Sequence, residues 1–256
     1  MNVAIIGGGI NGVMTAWELC KKNHNVTLYE KKKLMTQTSS KSSKLLHGGL
    51  RYLENFEFGL VKEALKDRAW WLKNAPKFAT PLKIYIPIYK NSRRSVWVYK
   101  IGLFLYDFLA GKDNIDVHKF HNLQSMYELC CELKSNKLTG GYSYFDGQMD
   151  DYKLGLWAAN EVKKYKNFTL MENTTVDKIN LNGEIFLNEN KKKFDKIINI
   201  AGPWASKILK DNDIKSNYQL DLIRGSHIVI NRRSDHGFFL EVPNERRIFF
   251  VLPTNK

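Results

Sequence analysis

Hydrophobic and polar positions at the start of the chain change period within thirty residues. Asn2 to Ile6 is a short apolar run, and three glycines follow at Gly7 to Gly9. Val13, Ala16, Trp17 and Cys20 then recur at helical spacing between Asn11 and Lys22. Val26 to Tyr29 is a second apolar run, closed by Glu30. Strand, tight turn, helix, strand is the start of a parallel sheet. Lys31 to Ser43 is polar and reads as a loop. Phe56 to Asn74 predicts an amphipathic helix through Leu60, Ala64, Leu65 and Trp71, ended by Pro76. Strands are predicted at Lys83 to Tyr89, Gly141 to Phe145, Phe168 to Met171, Thr174 to Asn180, Glu184 to Leu187, Phe194 to Ile200, Gln219 to Ile230 and Arg247 to Leu252. Helices are predicted at Ser95 to Leu109 and Tyr152 to Lys164, with a short one after Gly202-Pro203.

The order implies an α/β protein whose first domain is interrupted in sequence. The expected division is a dinucleotide-binding domain over 1–75 and 140–205, with a partial substrate or cap domain over 76–139 and 206–256. The 256 residues, 43% hydrophobic, suffice for two interleaved domains. The stretch Val96 to Ala110 is interrupted by Lys100 and Asp107 and is too short and too polar to span a bilayer. The predicted helix over it is apolar nearly all round and flanked by Arg93 and Arg94. Contact with a membrane surface and burial in the second domain both account for that pattern, and burial is the reading adopted.

The formal charge is +14, from 40 basic and 26 acidic residues. The lysines are scattered, so most of this charge is expected on solvated faces. The three cysteines include the adjacent pair Cys130-Cys131 but no CxxC, which argues for a reducing compartment and against a disulfide framework or a zinc site. No signal peptide is expected, because the first residues enter a strand at once. The expected location is therefore the cytoplasm or the cytosolic face of a membrane.

Gly7, Gly9 and Gly12 form GxGxxG. The first permits a tight turn, the second lets a pyrophosphate approach the backbone, and the third lets helix and strand pack closely. The helix N-terminus adds amides and a positive dipole end. Glu30, at the end of the second strand, is spaced to accept hydrogen bonds from a ribose diol. These residues do not distinguish FAD from NAD.

The segment TSSKSSKLLHGGLRYLE, from Thr38 to Glu54, resembles the signature of FAD-dependent glycerol-3-phosphate dehydrogenases, within the D-amino acid oxidase and glycine oxidase fold group. Further matching segments follow in order: IGLFLYDFLAG from Ile101, YFDGQMDD from Tyr144, NIAGPWA from Asn199, RGSHIVI from Arg224 and RRIFFVLP from Arg246. The resemblance implies a Rossmann-like FAD-binding domain interleaved with an α+β substrate domain. It implies oxidation of sn-glycerol 3-phosphate to dihydroxyacetone phosphate, with electrons passing to quinone or oxygen. Nucleic acid is not an expected partner. Another amino- or hydroxy-acid oxidase of the same fold and an inactive flavin-binding remnant are the alternatives; Arg51-Tyr52 argues against the former. The family continues beyond the last residue here, with another substrate arginine and a Gly-Gly-Lys segment, so the chain is expected to be a fragment, a split gene product or a degraded relative.

Hydroxyls at Thr38, Ser39, Ser40, Ser42 and Ser43 can donate to a pyrophosphate or to flavin atoms. Lys44 either adds charge there or is solvated. His47, Gly48 and Gly49 form a compact segment that can approach a flat ring. Arginine forks onto phosphate, and the family role at the substrate pocket carries onto Arg51 and Tyr52. Arg224 and Arg247 are further candidates for phosphate neutralisation. His227 either contacts substrate and assists proton removal or is a structural sheet histidine; His24, His118, His121 and His236 read as structural. Ala201, Gly202 and Trp204 match a second cofactor-contact loop, and Val176 an adenine-side backbone contact. Asp150-Asp151 is better explained by helix capping than by acid–base work. No metal-ligand cluster, nucleophile elbow or P-loop is evident.

Overall fold

The structure is a computed structural model that describes residues 1–256 except 131, 132, 135, 224, 232, 233, 244, 246, 255 and 256. In chain order its elements begin β1 (Asn2–Ile6), α1 (Ile10–Lys21), β2 (Asn25–Tyr29), β3 (Leu45–Leu46), α2 (Phe58–Asn74), β4 (Ala79–Tyr89) and α3 (Val96–Ala110). They continue with β5 (Lys119–Asn122), α4 (Leu123–Leu129), β6 (Leu138–Met149), α5 (Asp151–Val162), β7 (Phe168–Met171), β8 (Lys178–Ile179) and β9 (Glu184–Leu187). The last are β10 (Asn190–Lys193), β11 (Lys196–Asn199), α6 (Ala205–Asp211), β12 (Gly237–Glu241) and β13 (Ile248–Val251). The chain divides into two compact units, one of residues 1–43 and 151–228 and the other of 44–150 and 229–256.

The first unit is built on a four-stranded sheet in the order β11-β1-β2-β7, parallel throughout. Parallel strands of this kind are buried on both faces, which is why β1 and β2 read as continuous apolar runs. Trp17 of α1 meets Trp157 of α5 edge to face at 5.9 Å. The small antiparallel sheet β10-β9-β8 contributes Ile179 and Ile185 to a core with Ala4, Ile6, Tyr29 and Phe194.

In the second unit β4 and β6 form the centre of a sheet ordered β13-β12-β4-β6-β3, with β5 also on β6. Side chains alternate across a strand. On β4 this sends Leu82, Ile84, Ile86 and Ile88 into one core with Leu65, Leu103, Tyr106 and Tyr144. Tyr85 points into another core with Met126 and Cys130.

The units divide the chain differently from the expected domains. Residues 44–75 and 140–150 belong to the second unit, because β3 pairs with β6 and Leu65 of α2 packs in the second unit's core. Residues 206–228 belong to the first. Gln219 to Ile230 forms no strand among its described residues. They are irregular and leave Leu222, Ile223 and Ile228 exposed, because apolar content makes a strand only where a sheet edge pairs with it. Arg224 and Arg246 lie outside the described residues. Helix α3 is not enclosed either. It buries Tyr99, Leu103, Tyr106 and Ala110, whereas Trp97, Ile101, Phe104 and Phe108 are exposed, Trp97 at 68%. Only one face of α3 rests on the sheet. Among the described residues no helix is long and apolar enough to cross a membrane.

This two-faced α3 predicts unequal responses to truncation. Leu103→Ala should destabilise the chain by about 2–5 kcal/mol, and Phe104→Ala by less than about 0.5 kcal/mol. Urea unfolding followed by tryptophan fluorescence measures both, and equal losses would mean that α3 is buried on both faces.

Candidate cofactor and substrate sites

The parallel sheet of the first unit brings the carboxyl ends of β1, β2 and β11 to one edge. Pairing continues past the strands, with Gly7 N–H donating to Tyr29 O at 2.9 Å and Ile200 N–H to Ile6 O at 2.9 Å. Gly7 has φ +117°, which an L side chain rarely adopts, and a Cβ there would lie 2.3 Å from Ile200 O. A Cβ on Gly12 would lie 1.9 Å from Gly7 O. These two glycines let the chain turn and α1 start hard against β1. Gly9 caps α1 in extended conformation with no side-chain cap of its own. Glu30 accepts from Gly8 N–H at 2.7 Å and from Lys32 N–H at 2.8 Å, so its carboxylate is fixed beside the glycine turn. A carboxylate has about four acceptor positions, which leaves capacity for a diol.

Ala201, Gly202 and Trp204 follow β11 in a short 3-10 turn (Gly202–Trp204), next to Gly7 through the Ile200 carbonyl. Asn199 braces the turn, accepting from Ala201 N–H at 3.3 Å and donating to Ala205 O at 2.9 Å. Trp204 is half exposed, and Val176 packs against the core containing Tyr29.

The hydroxyls of the serine-rich segment divide among several tasks. Ser39 Oγ accepts from Ile10 N–H at 2.9 Å and so caps α1 from a neighbouring turn. Ser40 Oγ donates to Gln37 O, and Ser42 donates through both its N–H and its Oγ to Asp151. Thr38 and Ser43 are exposed. Asp151 also accepts from Tyr152 N–H at 2.8 Å in the first turn of α5, so it serves both that helix end and the loop. Lys44 has φ +62° and begins the second unit.

The rest of the segment, in the second unit, lines a cavity of about 290 Å³, at the small end for ligand pockets. Its polar wall holds His47, Arg51, Tyr52, Glu54 and Asp146, and its apolar wall Leu50, Tyr144, Phe239, Ile248 and Phe250. Glu54 is committed to Arg94, which engages both of its oxygens and also binds Glu241. The Arg94 guanidinium holds the Glu54 carboxyl below its ordinary range. Tyr99 donates to Glu241 at 2.9 Å, and burial raises its phenol. Arg51 forms no ion pair among the described residues.

Beneath this wall lie residues that sequence reasoning missed. Arg68 donates to Asp146 at 2.9 Å and to Phe145 O at 3.0 Å, and both side chains of the pair are buried. Tyr106 donates to the same Asp146 oxygen at 2.6 Å. Burial raises the Asp146 carboxyl despite the opposing Arg68 charge. Asp146 and Tyr106 lie within segments already singled out, but a carboxylate in a strand and a tyrosine in a helix give no period that marks them as partners. The cavity lining does not include His227 or Arg247. His227 is exposed in the irregular segment, and Arg247 is 77% exposed on a salt bridge to Glu245.

Residues 2–256 match the family described as FAD dependent oxidoreductase, and the chain belongs to that family. The glycerol-3-phosphate dehydrogenase of Pseudomonas aeruginosa is 33% identical over 98% of this chain and 50% of its own length. The aerobic glycerol-3-phosphate dehydrogenase of Escherichia coli is 33% identical over 98% and 51%. The chain thus spans about half the length of the curated relatives it matches. Among solved structures, the glycerol-3-phosphate dehydrogenase from Bacillus halodurans complexed with FAD superposes with a TM-score of 0.69 at 20% identity, covering 99% of this chain and 45% of that one. L-proline dehydrogenase from P. horikoshii gives 0.68 at 21%, covering 84% and 56%. These likenesses establish the fold. The residues present fit FAD: the Gly7–Gly12 turn, the α1 N-terminus and the clamped Glu30 would hold its adenosine diphosphate portion.

Gly12→Ala should abolish co-purification of FAD, read from the 450 nm absorbance of the purified chain, because the added methyl overlaps Gly7 O; retained flavin would mean the helix start is not the binding element. Glu54 has a lowered folded value, so its contribution is present above the ordinary glutamate value of 4.5 and lost as pH falls through the folded value. Wild type should therefore exceed Glu54→Gln in stability by a few tenths of a kcal/mol near neutrality. That margin should shrink in urea melts below pH 4.5. A pH-independent margin would contradict the ion pair.

Proposed function

We propose that this chain contributes the cofactor turn and the phosphate-binding wall of an enzyme that oxidises sn-glycerol 3-phosphate to dihydroxyacetone phosphate. The observation that carries the reading is Arg51, a cavity-lining guanidinium without an ion pair among the described residues. Glu54, which lines the same cavity, is already committed to Arg94. A guanidinium without an ion pair, lining a small cavity, suits a phosphate monoester, which arginine can engage through two hydrogen bonds. His47 and Tyr52 line the same wall and present groups able to hydrogen-bond substrate hydroxyls. The apolar wall of Phe239, Ile248 and Phe250 excludes water from one side and suits a carbon backbone of three atoms. FAD, when bound, supplies the acceptor for the hydride from the carbinol carbon.

The electron acceptor in this reading is a membrane quinone or oxygen. The exposed row Trp97, Ile101, Phe104 and Phe108, with Lys100 over the Trp97 ring at 5.1 Å, supports a peripheral membrane contact. The relatives named as glycerol-3-phosphate dehydrogenases support the choice of substrate.

Anaerobic glycerol 3-phosphate added to the flavin-loaded chain should bleach the 450 nm band, and an oxidised band that persists would overturn the reading. Arg51→Met should raise KM for glycerol 3-phosphate about 10- to 100-fold, the equivalent of losing charge-assisted hydrogen bonds of about 1.5–3 kcal/mol. An unchanged KM would place the phosphate elsewhere.

A further inference from the structure

We propose that Asp146 and Tyr106 are positioning residues, which set the course of the His47–Tyr52 segment by gripping the backbone of Gly48. Their value for substrate rests on the reading of the cavity just given, but the grip itself does not. Gly48 N–H donates to Tyr106 Oη at 2.8 Å and approaches Asp146 Oδ1 at 3.3 Å. Tyr106 Oη donates in turn to the same Asp146 oxygen at 2.6 Å, and Arg68 donates to it at 2.9 Å. One carboxylate oxygen therefore gathers donors from α2, α3 and the loop.

The fit is tight as well as polar. A Cβ on Gly48 would lie 2.4 Å from Leu65 Cδ2 and 2.6 Å from Tyr106 Oη, so the loop backbone sits directly on the buried pair. Arg68, Tyr106 and Asp146 are all buried, and hydrogen bonds in such surroundings hold their geometry strongly. Gly48 is followed at once by the residues that line the cavity, with Arg51 three positions on. Asp146 reaches the cavity from below. The network thus couples a rigid core to the polar wall at a single backbone amide. Its role is to hold the loop, so substrate affinity depends on residues that need not touch substrate.

The test compares Tyr106→Phe with Leu138→Ala, a truncation in the other core of the same unit, which holds none of the network residues. In the full chain, amide hydrogen exchange over residues 48–52 should rise at least tenfold in Tyr106→Phe and stay within twofold of wild type in Leu138→Ala. The dissociation constant for glycerol 3-phosphate, measured by calorimetry, should rise about tenfold in the first variant only. Equal exchange in both variants, or faster exchange without weaker binding, overturns the proposal. If wild type does not bind glycerol 3-phosphate, the substrate reading fails and the exchange contrast alone decides the positioning role. Should Tyr106→Phe not fold, the double variant Arg68→Met/Asp146→Leu removes the carboxylate below Gly48 without leaving a buried charge unpaired. It should lose protection at 48–52 relative to wild type, and wild-type protection in a folded double variant overturns the proposal.

Discussion

A guanidinium removed from water must be matched by an acceptor of opposite charge, or the fold loses several kcal/mol. Arg68 imposes that requirement on the second unit. Its side chain lies wholly inside, so Asp146 must stand opposite it, and Phe145 O and Asp113 O must be oriented toward it. The long β4–β6 pairing carries Asp146 to that depth, and α2 and α3 bring Arg68 and Tyr106 to meet it. Replacing such a pair with apolar groups can cost nothing in stability. Here it fixes which way the loop above it runs.

The first unit solves a different problem with backbone alone. Four parallel strands end on one edge, and the residues after β1, β2 and β11 continue the ladder for one more hydrogen bond each. That leaves the α1 start, Glu30 and the turn after β11 side by side without any charged side chain having to be buried. Ser39 and Asp151 tie the serine-rich loop to the two helix starts, so several hydroxyls that could serve a pyrophosphate already stabilise the protein. The group left for a ligand is smaller and more backbone-based than the hydroxyl content of the segment suggests.

Local period made the βαβ start legible from sequence, because strand, turn, helix and acid each carry their own signal within thirty residues. The parallel sheet followed from that start. Long-range facts were not legible. Gln219 to Ile230 has strand composition, yet strand formation depends on a partner edge that composition does not encode. Neither β12 nor α4 is flanked by a turn or cap signal as clear as the glycines after β1. The α3 helix reads as apolar all round, and only packing decides which face is covered. The Arg68–Asp146 pair joins positions 78 residues apart, and no spacing rule relates them.

Arg94 and Arg51, both near Glu54, show how context divides one residue type into two roles. Arg94 is nearly buried and shares Glu54 and Glu241, so its charge is neutralised and it braces the wall. Arg51 is exposed to the cavity, and the acid beside it is already claimed. Had Glu54 been uncommitted, it would have neutralised Arg51 and repelled any phosphate brought near. Arg94 takes both Glu54 oxygens, so Glu54 forms no ion pair with Arg51, although Arg94 itself is not one of the residues lining the cavity. In the function proposed above, anion affinity at this wall would be a property of the pairing pattern around Arg51 as much as of Arg51 itself.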